Sequence, residues 1–381
     1  MVRLYPTPEQ EEVLWKSAGV ARWAYNYWLA TKKEQYEQGI KVSLKEATST
    51  MTQIRNSDEY PWLKEVSAEI PKQAIKDLFD AYENFFKGTC NYPKFKKKGK
   101  CKVSFFHLNN KFIVTDEFIQ LEKVGKVKYQ DEGRLPRGNY KKEKIKVTNP
   151  RIKHNGKYWY LSLGFENQEE KYENLTDVSL GIDLGIKDLA ICSDGNVYKN
   201  INKTSEMKRL NKKLKRLQRK ASRKYEFLKK DKTFEKGEKP KKTKNIIKIE
   251  KQIKLVYRRI ANIRHNYLHQ TTNRIVKTKP YRIVVEDLNV KGMMKNRHLS
   301  KAIQEQCFYE LIRQLNYKCE FRGIEFIKVD RFYPSSKTCS NCGYVKKDLK
   351  LKDRTYVCPE CGLAIDRDYN ASINLANYQL V

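Results

Sequence analysis

The chain has no apolar run approaching the ~20 residues that a helix needs to cross a bilayer, so no transmembrane helix is expected. Its opening, "MVRLYPTPEQ", lacks the apolar segment of a secretory signal, and a cytoplasmic protein is expected. Acidic residues are scarce relative to basic ones: 45 Asp+Glu stand against 79 Lys+Arg, a formal net charge of +34. Such an excess works against compaction unless a polyanion neutralises it, and nucleic acid is the polyanion that fits best. A basic membrane-surface protein fits less well, because no strongly apolar amphipathic stretch accompanies the charge. A regular cysteine framework is missing too. Of nine cysteines, Cys90, Cys101, Cys192, Cys307 and Cys319 are scattered and read as free thiols in a reducing compartment. Aromatics are not lacking. With 24 Tyr and 15 Phe the chain is not a disordered polycation, and 381 residues suffice for two or three domains.

What is present changes character along the chain. "VRLYPTP" reads as a short strand stopped by prolines. From Glu9 the apolar positions Leu14, Ala18, Ala21, Tyr25 and Trp28 recur at helical spacing. A second helix is predicted over "SAEIPKQAIKDLFDAYENFFKG". Pro71 lies in its first turn, Ile75, Leu78, Phe79, Tyr82 and Phe86 make one face, and Gly88 ends it. "FIVTDEFIQL" and "EKIKVTNPRIKHNGKYWYLSLGF" read as strands, with Asn155-Gly156 as a hairpin turn. The N-terminal strand is expected to complete this β-domain. From Val178 onward strands and helices mix, as in an α/β domain: "DVSLGIDLGIKDLAICSDG", a helical hairpin from Met207 to about Val276 broken near "KGEKPKK", then the strands "YRIVVEDL" and "GIEFIKVDRFYPSS".

Two sets of residues carry chemistry. Cys339, Cys342, Cys358 and Cys361 form C-x2-C-x15-C-x2-C, with Gly343 and Gly362 after each pair. Four thiolates make a closed tetrahedral Zn²⁺ site, structural because no coordination position stays open. The competing reading is a pair of redox dithiols. The second set is acidic. Asp183 ends one apolar strand, Glu286 ends another, and Asp366 and Asp368 stand where the last helix starts. Carboxylates delivered by three separate elements are what a two-Mg²⁺ phosphodiester site requires. Each also has a plainer reading: a strand-end turn for Asp183, a surface carboxylate or a partner of Arg282 for Glu286, a helix N-cap for Asp366.

The segments "GIDLGIKDLA", "IVVEDLNVKGM", "YPSSKTCSNCG", "YVCPECG" and "DRDYNASINL", in this order, resemble the successive motifs of the TnpB (insertion-sequence OrfB) family, related to type V CRISPR effectors. "VRLYPTPEQEEVL" and "YPKFKKKGKCKVSF" resemble that family's N-terminal half. The resemblance implies a multidomain α+β fold. A helical recognition domain (10–90) and a wedge-type β-barrel (1–9 and 91–175) would precede an RNase H-like (RuvC) nuclease domain (176–335 and 363–381). That domain would carry the helical hairpin 206–276 and an inserted zinc ribbon (336–362). It further implies an RNA-guided DNA endonuclease, with a transposon-encoded guide RNA and double-stranded target DNA as partners, acting in a bacterial or archaeal cytoplasm near the nucleoid. Asp183 would match the first catalytic, Mg²⁺-holding acid and Glu286 the second. Periodicity does not choose between Asp366 and Asp368 for the third. The related effectors keep the acid two positions before the Asn, which selects Asp368. Tyr92, Lys94, Phe95, Lys96 and Lys97 would contact nucleic acid, lysines on phosphates and aromatics on bases. The alternatives are a nuclease-dead RNA-guided repressor, against which the three filled acid positions argue, and a miniature type V effector with the same chemistry.

Overall fold

The computed structural model describes residues 1–108, 111–133, 135–165, 174–230, 242–350 and 353–379. They form two compact units, Met1–Gln168 and Glu169–Val381. No helix of the described residues is long and apolar enough to cross a membrane.

In the first unit β1 (Val2–Tyr5) leads into α1 (Pro8–Glu37), a single 30-residue helix. Thr7 starts it with a reciprocal cap: its hydroxyl accepts from Gln10 N and its own N–H donates to Gln10 Oε1. Leu14, Ala18, Ala21, Tyr25 and Trp28 are all buried, as their spacing requires. Ser43 and Glu46 cap α2 (Leu44–Asn56) in the same way, a helix the sequence reading passed over. On α3 (Glu69–Phe86), Ile75, Leu78 and Tyr82 are buried. Phe86 is not: it is 78% exposed, and in the last turn it lies over the Tyr82 ring instead of the core.

Seven further strands complete this unit: β2 (Val103–Phe106), β3 (Ile113–Val114), β4 (Phe118–Leu121), β5 (Gly125–Gln130), β6 (Gly138–Asn139), β7 (Thr148–His154) and β8 (Trp159–Gly164). The antiparallel sheet runs β2-β7-β8-β1-β5-β4-β3-β6. The N-terminal strand therefore sits inside the sheet, between strands that follow it by more than a hundred residues. Asn155-Gly156 turns β7 into β8, with Gly156 at φ +92° and His154 opposite Trp159.

The second unit is built on a 5-stranded sheet, β11-β10-β9-β12-β13. Its strands are β9 (Thr176–Leu184), β10 (Asp188–Cys192), β11 (Val197–Lys199), β12 (Pro280–Glu286) and β13 (Glu325–Val329). β9, β12 and β13 are parallel, while β10 and β11 fold back antiparallel. Between β11 and β12 come α4 (Ser205–Lys230) and α5 (Lys244–Lys277). They pack through Met207, Leu210 and Leu214 against Val256 and Ile260. Tyr257, which its helical spacing from Ile246, Ile249, Ile253, Ile260 and Ile263 would place on the apolar stripe of α5, is instead 49% exposed and accepts a hydrogen bond from Gln218. Most of the break expected near "KGEKPKK" lies outside the described residues. After β12 follow α6 (Val290–Met293), α7 (Ser300–Gln306) and α8 (Phe308–Glu320). β14 (Thr355–Val357) and β15 (Ala364–Asp366) pair as a small hairpin, and α9 (Arg367–Ala376) ends the fold.

Strand alternation divides this sheet into two faces. Leu180, Ile182, Ile283 and Val285 share a core with Leu268 and Ile275 of α5 and Leu311 and Leu315 of α8. Val284, Ile327 and Val329 share the other face with Leu375 of α9. Gly181 lies on that second face, where α9 comes so close that a Cβ would stand 2.0 Å from Ser372 O and 2.4 Å from Ala376 N. Gly181→Ala is expected to push α9 off the sheet and destabilise the protein by about 1–3 kcal/mol or more. Thermal melting against wild type checks it, and an unchanged midpoint would contradict this packing.

Candidate functional site

The α9 face also carries the acids. Asp183 is two residues beyond Gly181 on β9, so its side chain leaves the same side of the sheet. On β12, Val285 stands opposite Ile182. One step further along these parallel strands Glu286 and Asp183 are neighbours, and Glu286 shares its face with Val284. Asp368 is in the first turn of α9. The packing of α9 on β9 thus brings its N-terminus toward the two strand-end carboxylates.

Electrostatics register the convergence. Desolvation, then Glu286 and Asp368, hold the Asp183 carboxyl well above its ordinary value of 3.8, with Asp366 adding to the rise and Arg367 opposing it. Folded Asp183 therefore binds its proton more tightly than the unfolded chain does. From about the unfolded value up to the raised folded one, the stability of the metal-free protein falls as pH rises. Asp183→Asn is expected to remove that loss and raise the metal-free melting temperature at pH 7–8, by roughly 2–4 °C per kcal/mol relieved. Melting curves at pH 5 and pH 8 check it. A lower midpoint for the Asn variant at pH 8 would contradict the crowding.

The other carboxylates are each tied to a partner. Glu286 accepts a hydrogen bond from the Ser335 hydroxyl. It does not pair with Arg282, which binds Ser179 Oγ and Ala376 O, each at 3.1 Å. Asp368 receives Arg367 at 3.1 Å and has Arg354 at 3.7 Å. Asp366 is exposed and caps α9, accepting from the N–H groups of Asp368 and Tyr369, each at 3.0 Å. Sequence reasoning missed Ser335, Arg354 and Arg367. It also missed Asn370 and Asn374, whose signal was legible: asparagines one turn apart on an otherwise small-residue helix face need buried partners.

The cysteines form the tightest group. Their four Sγ atoms lie within 4.8 Å of one another, with Cys339 and Cys361 3.6 Å apart and Cys342 and Cys358 3.5 Å apart. Thiolates about 2.3 Å from a shared tetrahedral ion stand about 3.8 Å apart, so the set fits Zn²⁺. The two knuckles repeat one geometry. Gly343 N donates to Cys339 O at 3.0 Å and Gly362 N to Cys358 O at 3.1 Å, with φ of +78° and +70°. Cys339 N donates to Tyr344 O at 2.8 Å and Cys358 N to Leu363 O at 2.9 Å.

In the first unit, Tyr92, Lys94, Phe95 and Lys97 are exposed. Tyr92 packs edge-on against Phe85, and its hydroxyl lies 3.2 Å from that of Tyr82. Lys96 turns inward. Asn26 holds its backbone from both sides, and its ammonium sits 3.6 Å above the Tyr25 ring. In the second unit, Lys212, Lys213, Lys215, Arg216, Arg219 and Lys220 line the exposed side of α4, away from Leu210 and Leu214.

Comparison with known proteins identifies relatives along the chain. A family described as "Probable transposase", OrfB of IS605, matches residues 162–297, which include Asp183 and Glu286. The "Cas12f1-like, TNB domain" matches 308–375, spanning the cysteines, Asp366 and Asp368. A "Helix-turn-helix domain" matches 1–41, although here that stretch folds as one strand and one unbroken helix. The chain is 31% identical over 98% of its length to a Streptomyces pristinaespiralis protein, of which it covers 87%, named "Putative RNA-guided DNA endonuclease". It is 30% identical, over 98% of its length and 90% of the relative, to Escherichia coli "Putative RNA-guided DNA endonuclease InsQ". Among solved structures, Cas12f1 in its complex with sgRNA and target DNA shares the fold, at TM-score 0.57 and 16% identity over 97% of this chain and 82% of that one. With relatives aligned along nearly its whole length, the chain belongs to the TnpB family, the OrfB proteins of IS605-type insertion sequences.

Proposed function

We propose that the protein is an RNA-guided DNA endonuclease that hydrolyses phosphodiester bonds at Asp183, Glu286 and Asp368. The observation that carries this reading is the convergence of those carboxylates on the α9 face, where Glu286 and Asp368 oppose the ionisation of Asp183. Carboxylates that resist ionising together are a donor set for hard divalent cations. A sheet of three antiparallel strands continued by two parallel ones, with the acids at the ends of its central strands, supports an RNase H-like (RuvC) domain. When bound, two Mg²⁺ ions would supply an activated water and stabilise the leaving oxygen. The chain's part is to hold the carboxylates on one face, to present Asp368 from a helix anchored through Gly181, and to keep Arg354 and Arg367 beside Asp368.

The remaining parts follow the same division. Residues 1–9 and 91–175 serve as the wedge, 10–90 as the recognition domain, 176–335 and 363–381 as the nuclease, and 336–362 as the zinc ribbon. Guide RNA and target DNA are gripped by Lys94 and Lys97 on phosphates, Tyr92 and Phe95 on bases, and the basic side of α4 on the duplex backbone. Lys96 supports the segment from beneath, through Tyr25 and Asn26.

The choice of third acid is the point to test. Asp366→Ala is expected to cost only a helix cap, ~1 kcal/mol of stability, and to leave cleavage measurable. Asp368→Ala is expected to abolish cleavage. Both variants are assayed on a guide-matched plasmid for binding and for cutting. A cutting Asp368→Ala beside a dead Asp366→Ala would reassign the acid.

A further inference from the structure

A carboxylate that ligates a cation must keep one orientation while staying charged, and a neutral donor beside it does this without competing for the metal. Glu286 has such a donor in Ser335, which is 2% exposed. Ser335 lies on the segment between β13 and the first cysteine knuckle, and that segment is gripped from α9. Asn374 Nδ2 donates to Ser335 O and to Thr338 O, each at 2.7 Å. Asn370 Nδ2 also donates to Thr338 O, at 2.7 Å, and Asn370 Oδ1 accepts from Ser340 N at 3.0 Å. Asn370 is 0% exposed and Asn374 5%. Buried amides are costly unless satisfied, so these bonds fix the segment's path. They link the backbone beside Cys339 to the Glu286 carboxylate by way of Asn370, Asn374 and Ser335, all three buried.

We propose that Ser335 is a positioning residue for Glu286, its hydroxyl orienting the carboxylate toward Mg²⁺, and that Asn370 and Asn374 couple this orientation to the order of the cysteine knuckle. The inference rests on reading Glu286 as a metal ligand. The residue that aims the acid and the start of the ribbon are then held by the same two asparagines of α9.

Ser335→Ala removes the donor and keeps the backbone that Asn374 grips. As an RNA complex, S335A is expected to need about 10-fold more Mg²⁺ for half-maximal cleavage, while its rate at saturating Mg²⁺ falls less. A Mn²⁺ titration of the uncleaved complex, followed by electron paramagnetic resonance, should show the same loss of affinity. Ser335→Thr keeps the hydroxyl and should restore both. Zinc content and melting temperature should match wild type in each. Wild-type Mg²⁺ and Mn²⁺ dependence in S335A overturns the proposal, and so does a folded S335T with the defect of S335A. If S335A loses zinc or its fold, Asn374→Ala replaces it. That variant is expected to show the same shift, and wild-type metal dependence there overturns the proposal equally. Glu286→Gln separates the two claims. A dead E286Q beside a normal S335A ends only the positioning role, whereas an E286Q that cuts and binds Mn²⁺ normally ends the ligand reading itself.

Discussion

Asp183→Ala and Glu286→Ala are each expected to lower cleavage of guide-matched DNA by at least about 10³-fold, several kcal/mol of transition-state stabilisation, and to leave guided DNA binding within a few-fold of wild type. On the proposed reading the two activities separate, because these side chains would hold cations and not the duplex. Phosphate contacts depend on Lys and Arg, and in the interface proposed above they come from the exposed basic side of α4 and the "YPKFKKKGK" segment, not from the acids. Removing one negative charge from a site where Asp183 already resists ionisation should, if anything, ease the approach of a phosphate. Filter binding and plasmid cleavage on the same RNA complex check both halves. Two variants that cut at wild-type rate would end the RuvC-like reading. Two that lose binding in proportion to cutting would make the acids structural.

Cys358→Ser is expected to take zinc content from about one ion per chain to near zero and to open the ribbon to proteolysis between residues 336 and 362. Structural zinc sites contribute on the order of 10 kcal/mol of folding free energy, and among the described residues the ribbon's apolar interior is small. Its interior is Cys339, Tyr356 and Cys358 with a few partly buried neighbours. The damage should reach the acids. Thr338 and Ser340, on either side of Cys339, are the groups that Asn370 and Asn374 hold on α9. Loss of 1.4 kcal/mol of alignment suffices for a tenfold slower reaction, so cleavage should fall at least about tenfold. Cys90→Ser, an exposed thiol in the first unit, is the control and should change neither zinc nor rate. Elemental analysis and limited proteolysis read the outcome. Zinc retained in a Cys358→Ser protein would contradict the four-thiolate site.

How much of this was legible depended on whether the signal was local. The two C-x-x-C-G knuckles are short-range geometry, and all four ligands were readable from spacing alone. Asp183 and Glu286 stood out because each ends a continuous apolar strand, where a charge is costly without a partner. The Asp366 cap was likewise readable from its place at a helix start. Beyond that range the signal fades. Ser335 looks like any loop serine until β13 runs beside β12 and brings it to Glu286. Gly181 looks like a turn glycine until α9, nearly two hundred residues later, lies on it. Phe86 kept the helical period but fell in the last turn, past the core that period served. Lys96 resembled its lysine neighbours, and only Asn26 and Tyr25, seventy residues earlier, turn it inward. α2 was passed over although its Ser43/Glu46 capping box was visible in the sequence.

The central claim is that an RNA chooses where these carboxylates cut. The most direct measurement is to purify the protein with its co-purifying RNA, sequence that RNA, replace its guide segment and map the breaks on a plasmid carrying both old and new targets. The account predicts that cutting moves to the new target, requires Mg²⁺, and disappears with RNase treatment before assembly. Breaks that stay at the old target, or that persist in RNA-free protein, would contradict it.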